Sequence, residues 1–260
     1  MPELPEVETV VRTLRPVVLG RTIVEARVFS RQVLKGKPEP EVNGMRILDV
    51  TRHGKTILLQ LDQGILAIHL GMTGKLLINS TPGPHMRALF TLDQGVLVYD
   101  DIRMFGRIEF SPEMPAHLAA LGPDPLSISL ANFQAALKGR KTRIKPLLLN
   151  QNFLRGLGNI YVDESLFRAG IHPEALANKL KSERVRKLHG SIIAVLEASI
   201  AAGGSSISDY VDTEGRKGSF QNQHLVYGKQ GAACVECGAQ IVRIVVAQRG
   251  THYCKRCQKL

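Results

Sequence analysis

All four cysteines of this 260-residue chain lie near its end, and their spacing constrains the fold more than any other feature. Two Cys-x2-Cys pairs separated by about 15–20 residues are typical of a zinc site, since each pair presents two thiolates to one tetrahedral ion. So short a segment cannot fold on its own apolar core, and a bound metal would supply the missing free energy. Disulfide bonds are the alternative, but they are typical of oxidising compartments. We therefore predict one structural Zn2+ bound by Cys234, Cys237, Cys254 and Cys257.

The balance of charge indicates a polyanionic partner. The net charge is +11 and the sequence pI is about 9.7, which is typical of proteins that bind nucleic acid or, second, an anionic membrane surface. No apolar run in the sequence is long enough to span a membrane, and the first residues lack the pattern of a signal peptide. We expect a soluble cytoplasmic protein without a membrane partner, and nothing in the sequence requires more than a monomer. A basic surface with no specific partner is the alternative.

The first 128 residues predict one helix followed by strands. Apolar positions recur at helical spacing over about 3–19, and Gly20 suits the end of that helix. Short apolar or alternating runs then predict strands at 22–24, 45–48, 57–61, 65–70, 76–78, 87–92, 96–99 and 106–110. We expect a β-rich layered domain over 1–128, either a sandwich or a barrel.

Helical patterns dominate residues 129–224. Candidate helices cover 130–137, 146–149, 159–169 and 182–202. The Gly- and Ser-rich stretch 203–223 predicts a long mobile loop of the kind that often serves as a functional lid, with a plain linker as the alternative. Residues 225–260 follow as the zinc-binding module, with a hairpin that turns near Arg249-Gly250.

The chain begins Met1-Pro2-Glu3-Leu4-Pro5-Glu6, which places two carboxylates close to a proline nitrogen. Removal of Met1 would give Pro2 a free secondary amine. An α-amino group has a pKa of about 8, so a fraction of it is unprotonated and nucleophilic at neutral pH. An amine with a positioned acid can attack an electrophilic carbon and form a Schiff base. Taken alone, the hexapeptide favours an ordinary helix start, because proline suits the first turn and acidic side chains suit the positive end of the helix dipole.

Several loops carry side chains that suit DNA. The turn at 156–159 exposes backbone amides at the start of a helix that Asn159 could cap, which suits a phosphate, although such turns are often purely structural. Arg103 and Phe105 share a loop between strands, and Met72 lies between glycines in another, so apolar side chains beside a cation could wedge into a base stack. Met72 could instead fill a gap in the core, and a lone lysine such as Lys55 is usually solvated.

Four motifs together closely resemble those of bacterial formamidopyrimidine-DNA glycosylases, and the resemblance runs from end to end of the chain. They are PELPEVET at 2–9, HLGMTG at 69–74, GLGNIYVDES at 156–165 and QRGTHYC at 248–254, the last within the four-cysteine tail. The resemblance implies an α+β multi-domain protein with an N-terminal β-sandwich and flanking helices, a helix-two-turn-helix domain and a C-terminal zinc-finger hairpin, with DNA in the cleft between them. It also implies a bifunctional DNA glycosylase/AP lyase of base excision repair, which excises oxidised purines such as 8-oxoguanine and formamidopyrimidines from double-stranded DNA. Strand cleavage by β,δ-elimination would follow.

The resemblance also implies roles for a catalytic set. Pro2 would be the nucleophile that attacks the sugar C1′, Glu3 the proton donor for sugar opening, and Glu6 a supporting carboxylate. Lys55 would serve β-elimination and Arg249 δ-elimination.

A second set would bind DNA. The side chains that fill the gap left by the extruded nucleotide would be Met72, Arg103 and Phe105. Those that hold phosphates would be His85, Arg103, Arg140 and Asn159. The loop at 203–223 would cap the lesion, and the protein would be bacterial and associated with the nucleoid through its DNA.

Two departures from the family pattern concern DNA contacts. The family often has Asp-Pro-Arg-Arg/Lys-Phe where this chain has DIRMF at 101–105, and Arg87 stands where a second histidine is common. They put the phosphate contacts and the opposite-base preference in doubt but leave the catalytic set intact.

Two alternative functions remain open: a glycosylase for oxidised pyrimidines, as in the endonuclease VIII branch, and a non-catalytic protein that binds damaged DNA. A metal-dependent nuclease is not favoured, because no acidic or histidine cluster beyond the cysteines suggests a catalytic ion.

Overall fold

The computed structural model describes residues 1–35, 41–207 and 209–260. The chain forms two compact units. The first contains Met1–Ala120 and Ile200–Gln221, and the second contains Leu121–Ser199 and Asn222–Leu260. Residues 200–221 therefore pack with the N-terminal strands, although the sequence pattern predicts that this whole segment belongs to the helical domain at 129–224.

The described residues of the first unit include one long α-helix, one short α-helix and two antiparallel four-stranded sheets. Helix α1 covers Leu4–Val18, and α2 covers Ala116–Ala119. The strands are β1 (Ile23–Val28), β2 (Ile47–His53), β3 (Thr56–Leu61), β4 (Gly64–His69), β5 (Lys75–Ile78), β6 (Met86–Leu92), β7 (Val96–Asp100) and β8 (Arg107–Ser111). One sheet has the order β1-β6-β7-β5 and the other β2-β3-β4-β8. All eight predicted strands are present, and the two sheets enclose one core, as expected of the predicted β-sandwich.

Helix α1 contributes one apolar face to that core. Leu14 and Val18 are fully buried and Val10 nearly so, and burying each such side chain stabilises a fold by about 1.5–3 kcal/mol. The polar face of α1 is tied to the strands as well, because the Arg52 Nε of β2 donates to Glu8 Oε2 at 3.0 Å. The start of α1 is thereby held beside the hairpin that joins β2 to β3.

The second unit contains the remaining long helices and a C-terminal hairpin. Its helices are α3 (Leu130–Leu137), α4 (Ile144–Leu149), α5 (Asn159–Ala169) and α6 (Ser182–Ala201), the last of which ends in the first unit. Local chemistry explains several helix ends: Ser129 Oγ accepts from the Asn132 amide before α3, and Gly170 ends α5 at φ 68°. Strands β9 (Ile241–Val246) and β10 (Arg249–Cys254) form the hairpin. The predicted α+β arrangement of sheets, helices and cysteine-bearing hairpin is confirmed.

Two local predictions are wrong. Gly158, not Asn159, occupies the cap position of α5, and no side-chain hydrogen bond caps that helix. The C-terminal hairpin turns two residues earlier than expected, at Ala247 and Gln248, which both adopt positive φ (48° and 60°) as a two-residue hairpin turn with a right-handed twist requires. None of the helices formed by the described residues is long and apolar enough to cross a membrane.

Candidate active site

The start of α1 places two buried carboxylates directly after Pro2. Glu3 is 4% exposed and Glu6 is 1% exposed. The Glu3 amide donates to Glu6 Oε2 at 2.8 Å, so the two acidic residues are held in one turn. Pro2 is buried and Met1 is exposed. While Met1 is attached, the Pro2 nitrogen belongs to a peptide bond and has no amine lone pair for attack.

Glu6 also holds the segment that follows α6. Its Oε1 accepts the Ser205 amide at 2.7 Å, and its backbone oxygen accepts the Tyr210 hydroxyl at 3.2 Å. Burial is the main reason that the pKa of Tyr210 lies above its usual range, so the phenol stays protonated and continues to donate. Further along, the Ile78 amide at the end of β5 donates to the Thr213 carbonyl at 2.9 Å. The segment predicted as a mobile loop is therefore bonded both to the candidate catalytic helix and to a sheet edge.

Lys55 lies in the turn between β2 and β3, beside Gly54 at φ 62°. The neighbouring register brings it near β4, because Thr56 pairs with His69 and His69 pairs with Arg107 of β8. The pKa of His69 is lowered to about 4, first by burial and then by the positive charges of Lys55 and Arg107. His69 is thus neutral at physiological pH, and its Nδ1 accepts the amide of Gly71 at 3.1 Å.

The three predicted wedge side chains project from two loops of the first unit. Met72 is 40% exposed and Phe105 50% exposed, although both are large and apolar. The Arg103 guanidinium carbon lies 4.6 Å from the centre of the Phe105 ring, a cation–π contact that holds the two side chains together. His85 is half-buried, and its backbone oxygen accepts the Asp101 amide at 3.0 Å. Arg103 and Phe105 are thus in contact, and Met72 lies next to Thr73, whose hydroxyl oxygen accepts the Arg103 amide at 3.1 Å.

The two unusual residues of this loop have different surroundings. Met104 adopts φ 53°, packs partly against the core, and its sulfur accepts the Ser30 hydroxyl at 3.4 Å. It therefore points inward where the family pattern often has a basic residue. Ile102 is 45% exposed and adds apolar surface beside Arg103.

The second unit holds the other residues that are predicted to contact DNA. Arg140 and Arg249 are exposed, and Asn159 is half-buried at the first position of α5. The Asn159 amide group donates to the Gly250 carbonyl at 2.8 Å, which links α5 to the residue after Arg249. Its Oδ1 is buried and has no hydrogen-bond partner among the described residues.

A buried ion pair that sequence patterns did not predict lies next to Gly250. Lys145 Nζ lies 2.6 Å from Asp163 Oδ1, with both side chains fully buried, and it also donates to the Gly250 carbonyl at 3.2 Å. Asp163 Oδ2 accepts the His252 amide at 2.8 Å. The sequence signal was Lys145 as the single charged residue of the otherwise apolar helix α4; α5 carries several charged residues, so nothing marked Asp163 as its partner.

Glu164 is a second missed residue of α5. It is fully buried, and its carboxylate accepts the backbone amides of Leu225, Val226 and Tyr227 at 2.9–3.0 Å. These residues lead into the C-terminal module, so α5 holds that module through adjacent acidic residues.

The four cysteines fit a tetrahedral metal ion. Their sulfur atoms all lie within 4.8 Å of one another. Cys234 Sγ is 3.8 Å from Cys257 Sγ, and Cys237 Sγ is 3.5 Å from Cys254 Sγ. A disulfide bond needs about 2.05 Å, whereas ligands at about 2.3 Å around a tetrahedral zinc ion lie about 3.8 Å apart. The donor set and spacing therefore fit a structural metal ion.

The chain matches known protein families along most of its length. Three family models match successive parts of the chain: the formamidopyrimidine-DNA glycosylase N-terminal domain at residues 1–108, the formamidopyrimidine-DNA glycosylase H2TH domain at 121–211, and the zinc finger found in FPG and IleRS at 231–260.

Curated proteins and solved structures are similar over the full length. Relatives named formamidopyrimidine-DNA glycosylase are 53% identical over 265 residues in Solibacter usitatus, covering all of both chains, and 45% identical over 274 residues in Brevibacillus brevis, covering 100% of this chain and 99% of the relative. The crystal structure of the MutM (Fpg) protein of Thermus thermophilus superposes with a TM-score of 0.91 at 41% identity, covering 99% and 98% of the two chains. Two complexes of Lactococcus lactis Fpg cover all of both chains at 36% identity. One is a mutant with Fapy-dG-containing DNA (TM-score 0.90), and the other is the wild type with DNA that contains an oxidised pyrimidine (0.89).

Proposed function

The chain belongs to the formamidopyrimidine-DNA glycosylase family, and on that basis we propose that it excises oxidised purines, including 8-oxoguanine and formamidopyrimidines, from double-stranded DNA. Membership makes the protein a DNA glycosylase and abasic-site lyase of base excision repair with DNA as its partner. The observation that carries the proposal is the start of α1, where Pro2 is followed by two buried carboxylates held in one hydrogen-bonded turn.

The proposed glycosylase step begins once Met1 has been removed. The secondary amine of Pro2 attacks C1′ of the damaged nucleoside, the C1′–N bond breaks, and the base leaves with that bonding pair and takes up the proton that the Pro2 nitrogen loses. Glu3 donates a proton to the sugar ring oxygen, so that the ring opens and the nitrogen lone pair forms the iminium, or Schiff base. Glu6 fixes Glu3 through the 2.8 Å bond to its amide, which keeps the donor beside the nucleophile.

The proposed lyase step uses basic side chains. An iminium at C1′ acidifies the C2′ proton, and its removal expels the 3′-phosphate in β-elimination, for which Lys55 at its hairpin tip is the assigned residue. Loss of the 5′-phosphate by δ-elimination is assigned to Arg249. Its neighbour Gly250 is held by Lys145 and Asn159, which supports a defined position for the arginine on the second unit.

Extrusion of the damaged nucleotide is assigned to the exposed wedge residues. A glycosylase cannot reach its target inside the duplex, and unstacking costs a few kcal/mol. Met72, Arg103 and Phe105 offer apolar surface and one cation to fill the gap. We assign the binding of DNA phosphates to His85, Arg140 and Asn159. We assign the capping of the lesion to the segment at 203–223.

We also propose that the four cysteines hold Zn2+ and that the protein acts as a monomer in the bacterial cytoplasm, associated with the nucleoid through DNA. The cysteine geometry supports the ion. The metal would contribute folding free energy to the hairpin rather than a reactive group, because all four ligand positions are filled by thiolates.

A trapping experiment tests the proposed substrate. Duplexes that contain 8-oxoguanine, an oxidised pyrimidine or no lesion are incubated with the protein and borohydride, which reduces the Schiff base to a stable adduct. We expect a protein–DNA adduct and strand cleavage with 8-oxoguanine. Pro2→Gly should lose most of the adduct while keeping DNA affinity, since phosphate contacts dominate binding. No adduct with either lesion would refute the catalytic assignment and leave a non-catalytic binder of damaged DNA.

The same experiment tests a second candidate substrate. One structurally similar Lactococcus lactis protein was solved with DNA that contains an oxidised pyrimidine, which favours including that class. Trapping with the pyrimidine alone would move the protein to a pyrimidine-specific activity, whereas trapping with both would broaden the proposed range.

A further inference from the structure

A fully buried carboxylate, that of Asp101, lies beneath the two loops that carry the wedge residues. Asp101 is 0% exposed. Its Oδ1 accepts the Thr73 hydroxyl at 2.5 Å, and its Oδ2 accepts the Gly106 amide at 2.9 Å and the Tyr99 hydroxyl at 3.3 Å. Burial, and then the Asp101 charge, raises the pKa of Tyr99 above its usual range, so this phenol remains a donor.

Every donor to this carboxylate is connected to a wedge residue or to the strand beneath it. Thr73 follows Met72 in the chain, and its Oγ1 also accepts the Arg103 amide at 3.1 Å. Gly106 follows Phe105. One carboxylate therefore fixes the backbone next to each of the three wedge side chains, while those side chains remain exposed.

The main chain of Asp101 extends the same network to His85, which is predicted to bind a DNA phosphate. Its amide donates to the His85 carbonyl at 3.0 Å, and its carbonyl accepts Arg87 Nε at 2.9 Å. Arg87 is the residue that replaces the histidine common in the family, and here it supports the loop rather than pointing freely to solvent.

Close packing leaves the two loops little room to move independently. A side chain at Gly71 would come within 2.5 Å of the Gly106 nitrogen, and one at Gly74 would come within 2.8 Å of the Tyr99 hydroxyl. A side chain at Gly106 would overlap that same hydroxyl. The backbones are in direct contact around the Asp101 network, so a change in its hydrogen bonds reaches both loops.

We propose that Asp101 is a positioning residue that pre-organises the wedge set Met72, Arg103 and Phe105 for nucleotide extrusion. The inference rests on the proposed function. A wedge that is already ordered loses less conformational entropy when it enters the base stack, so more of its contact energy offsets the lost stacking. Asp101 touches no reacting atom in this account, and its effect is limited to the extrusion step.

The test compares Asp101→Asn with the wild type on two duplexes. In one the lesion is fully paired, and in the other it lies in a mismatched bubble where unstacking costs little. With the paired duplex we expect the rate of single-turnover excision to fall by about 10- to 100-fold. A fold-change of this size corresponds to the free energy of one hydrogen bond to a charged group. With the bubble we expect a loss smaller than about threefold. The emission of 2-aminopurine next to the lesion, which rises on unstacking, should show the same slowing in the paired duplex.

Matched variants separate positioning from general damage to the fold. Asp100→Asn removes the same charge one residue away, outside the network, and should excise like the wild type from both duplexes. Thr73→Val should reproduce the preference of Asp101→Asn for the bubble, and Thr73→Ser should restore most of the paired-duplex rate. All variants are measured below their melting transitions, followed by circular dichroism.

The possible outcomes distinguish this inference from the function beneath it. Borohydride trapping at a preformed abasic site should be retained in Asp101→Asn, since Pro2 and Glu3 are unchanged. An equal loss on paired and bubble duplexes would overturn the positioning role and indicate a purely structural one. Failure of the wild type itself to trap would refute the proposed function, and the inference would fall with it.

Discussion

The buried pair of Lys145 and Asp163 gives the sharpest prediction about stability. Both side chains are fully buried, and their charged atoms lie 2.6 Å apart. Lys145→Met leaves the Asp163 charge in the interior, and Asp163→Leu leaves the Lys145 charge there. Each single substitution should therefore lower the free energy of unfolding by about 3–5 kcal/mol, the cost of breaking a buried ion pair by removing one partner.

The double variant Lys145→Met/Asp163→Leu should be far less damaged than the sum of its parts. Both charges are gone, and the main remaining loss is the acceptor of the His252 amide, worth about 1–3 kcal/mol when the amide is left unsatisfied in the interior. We thus expect a total cost of about 1–3 kcal/mol instead of about 6–10 kcal/mol.

Urea unfolding of the zinc-loaded protein, followed by circular dichroism at 222 nm, measures these differences by linear extrapolation. Arg140→Met, an exposed change in the same unit, controls for the loss of one positive charge and should change stability by less than about 0.5 kcal/mol. A double variant that costs as much as the two single variants together would refute the view that the two charges act as one unit.

Three further predictions concern other parts of the molecule. Chelation of the metal, or Cys254→Ser, should unfold the C-terminal hairpin and reduce DNA affinity in fluorescence anisotropy at fixed salt by about tenfold or more, and unchanged affinity would contradict a role for the hairpin. Glu6→Gln weakens the acceptor of the Glu3 and Ser205 amides and should cost about 1–2 kcal/mol in urea unfolding, with a more stable variant as the contrary result. His69 has a pKa of about 4 when folded against 6.5 when unfolded, so the unfolded chain binds the proton first and stability should fall as pH drops from about 6.5 towards 4. His69→Asn should flatten that part of the pH curve, and an unchanged slope would assign it to other groups.

Local chemistry made much of this architecture predictable. The helices at 130–137 and 159–169 have the predicted bounds, because each carries an apolar face and ends at a clear cap or glycine. The Cys-x2-Cys spacing likewise placed four sulfur atoms together without reference to the rest of the chain. In such cases the determining residues are near neighbours in sequence.

Contacts between distant residues account for what could not be predicted. Asn159 looked like a helix cap, but its amide binds Gly250, 91 residues away. The Gly- and Ser-rich segment after α6 looked mobile, yet Ser205 and Tyr210 bond to Glu6, some 200 residues earlier. Composition and periodicity do not encode such partners, because the partners are set only when the elements pack.

The most direct test of the account is the identity of the atom that becomes bonded to DNA. Protein freed of Met1 is trapped with borohydride on an 8-oxoguanine duplex, digested with protease and nuclease, and mapped by tandem mass spectrometry. We predict the added sugar fragment on the nitrogen of Pro2, and no adduct from a preparation that retains Met1 although it still binds DNA. An adduct on Lys55 or on another side chain, or trapping by the Met1-retaining protein, would contradict the central claim.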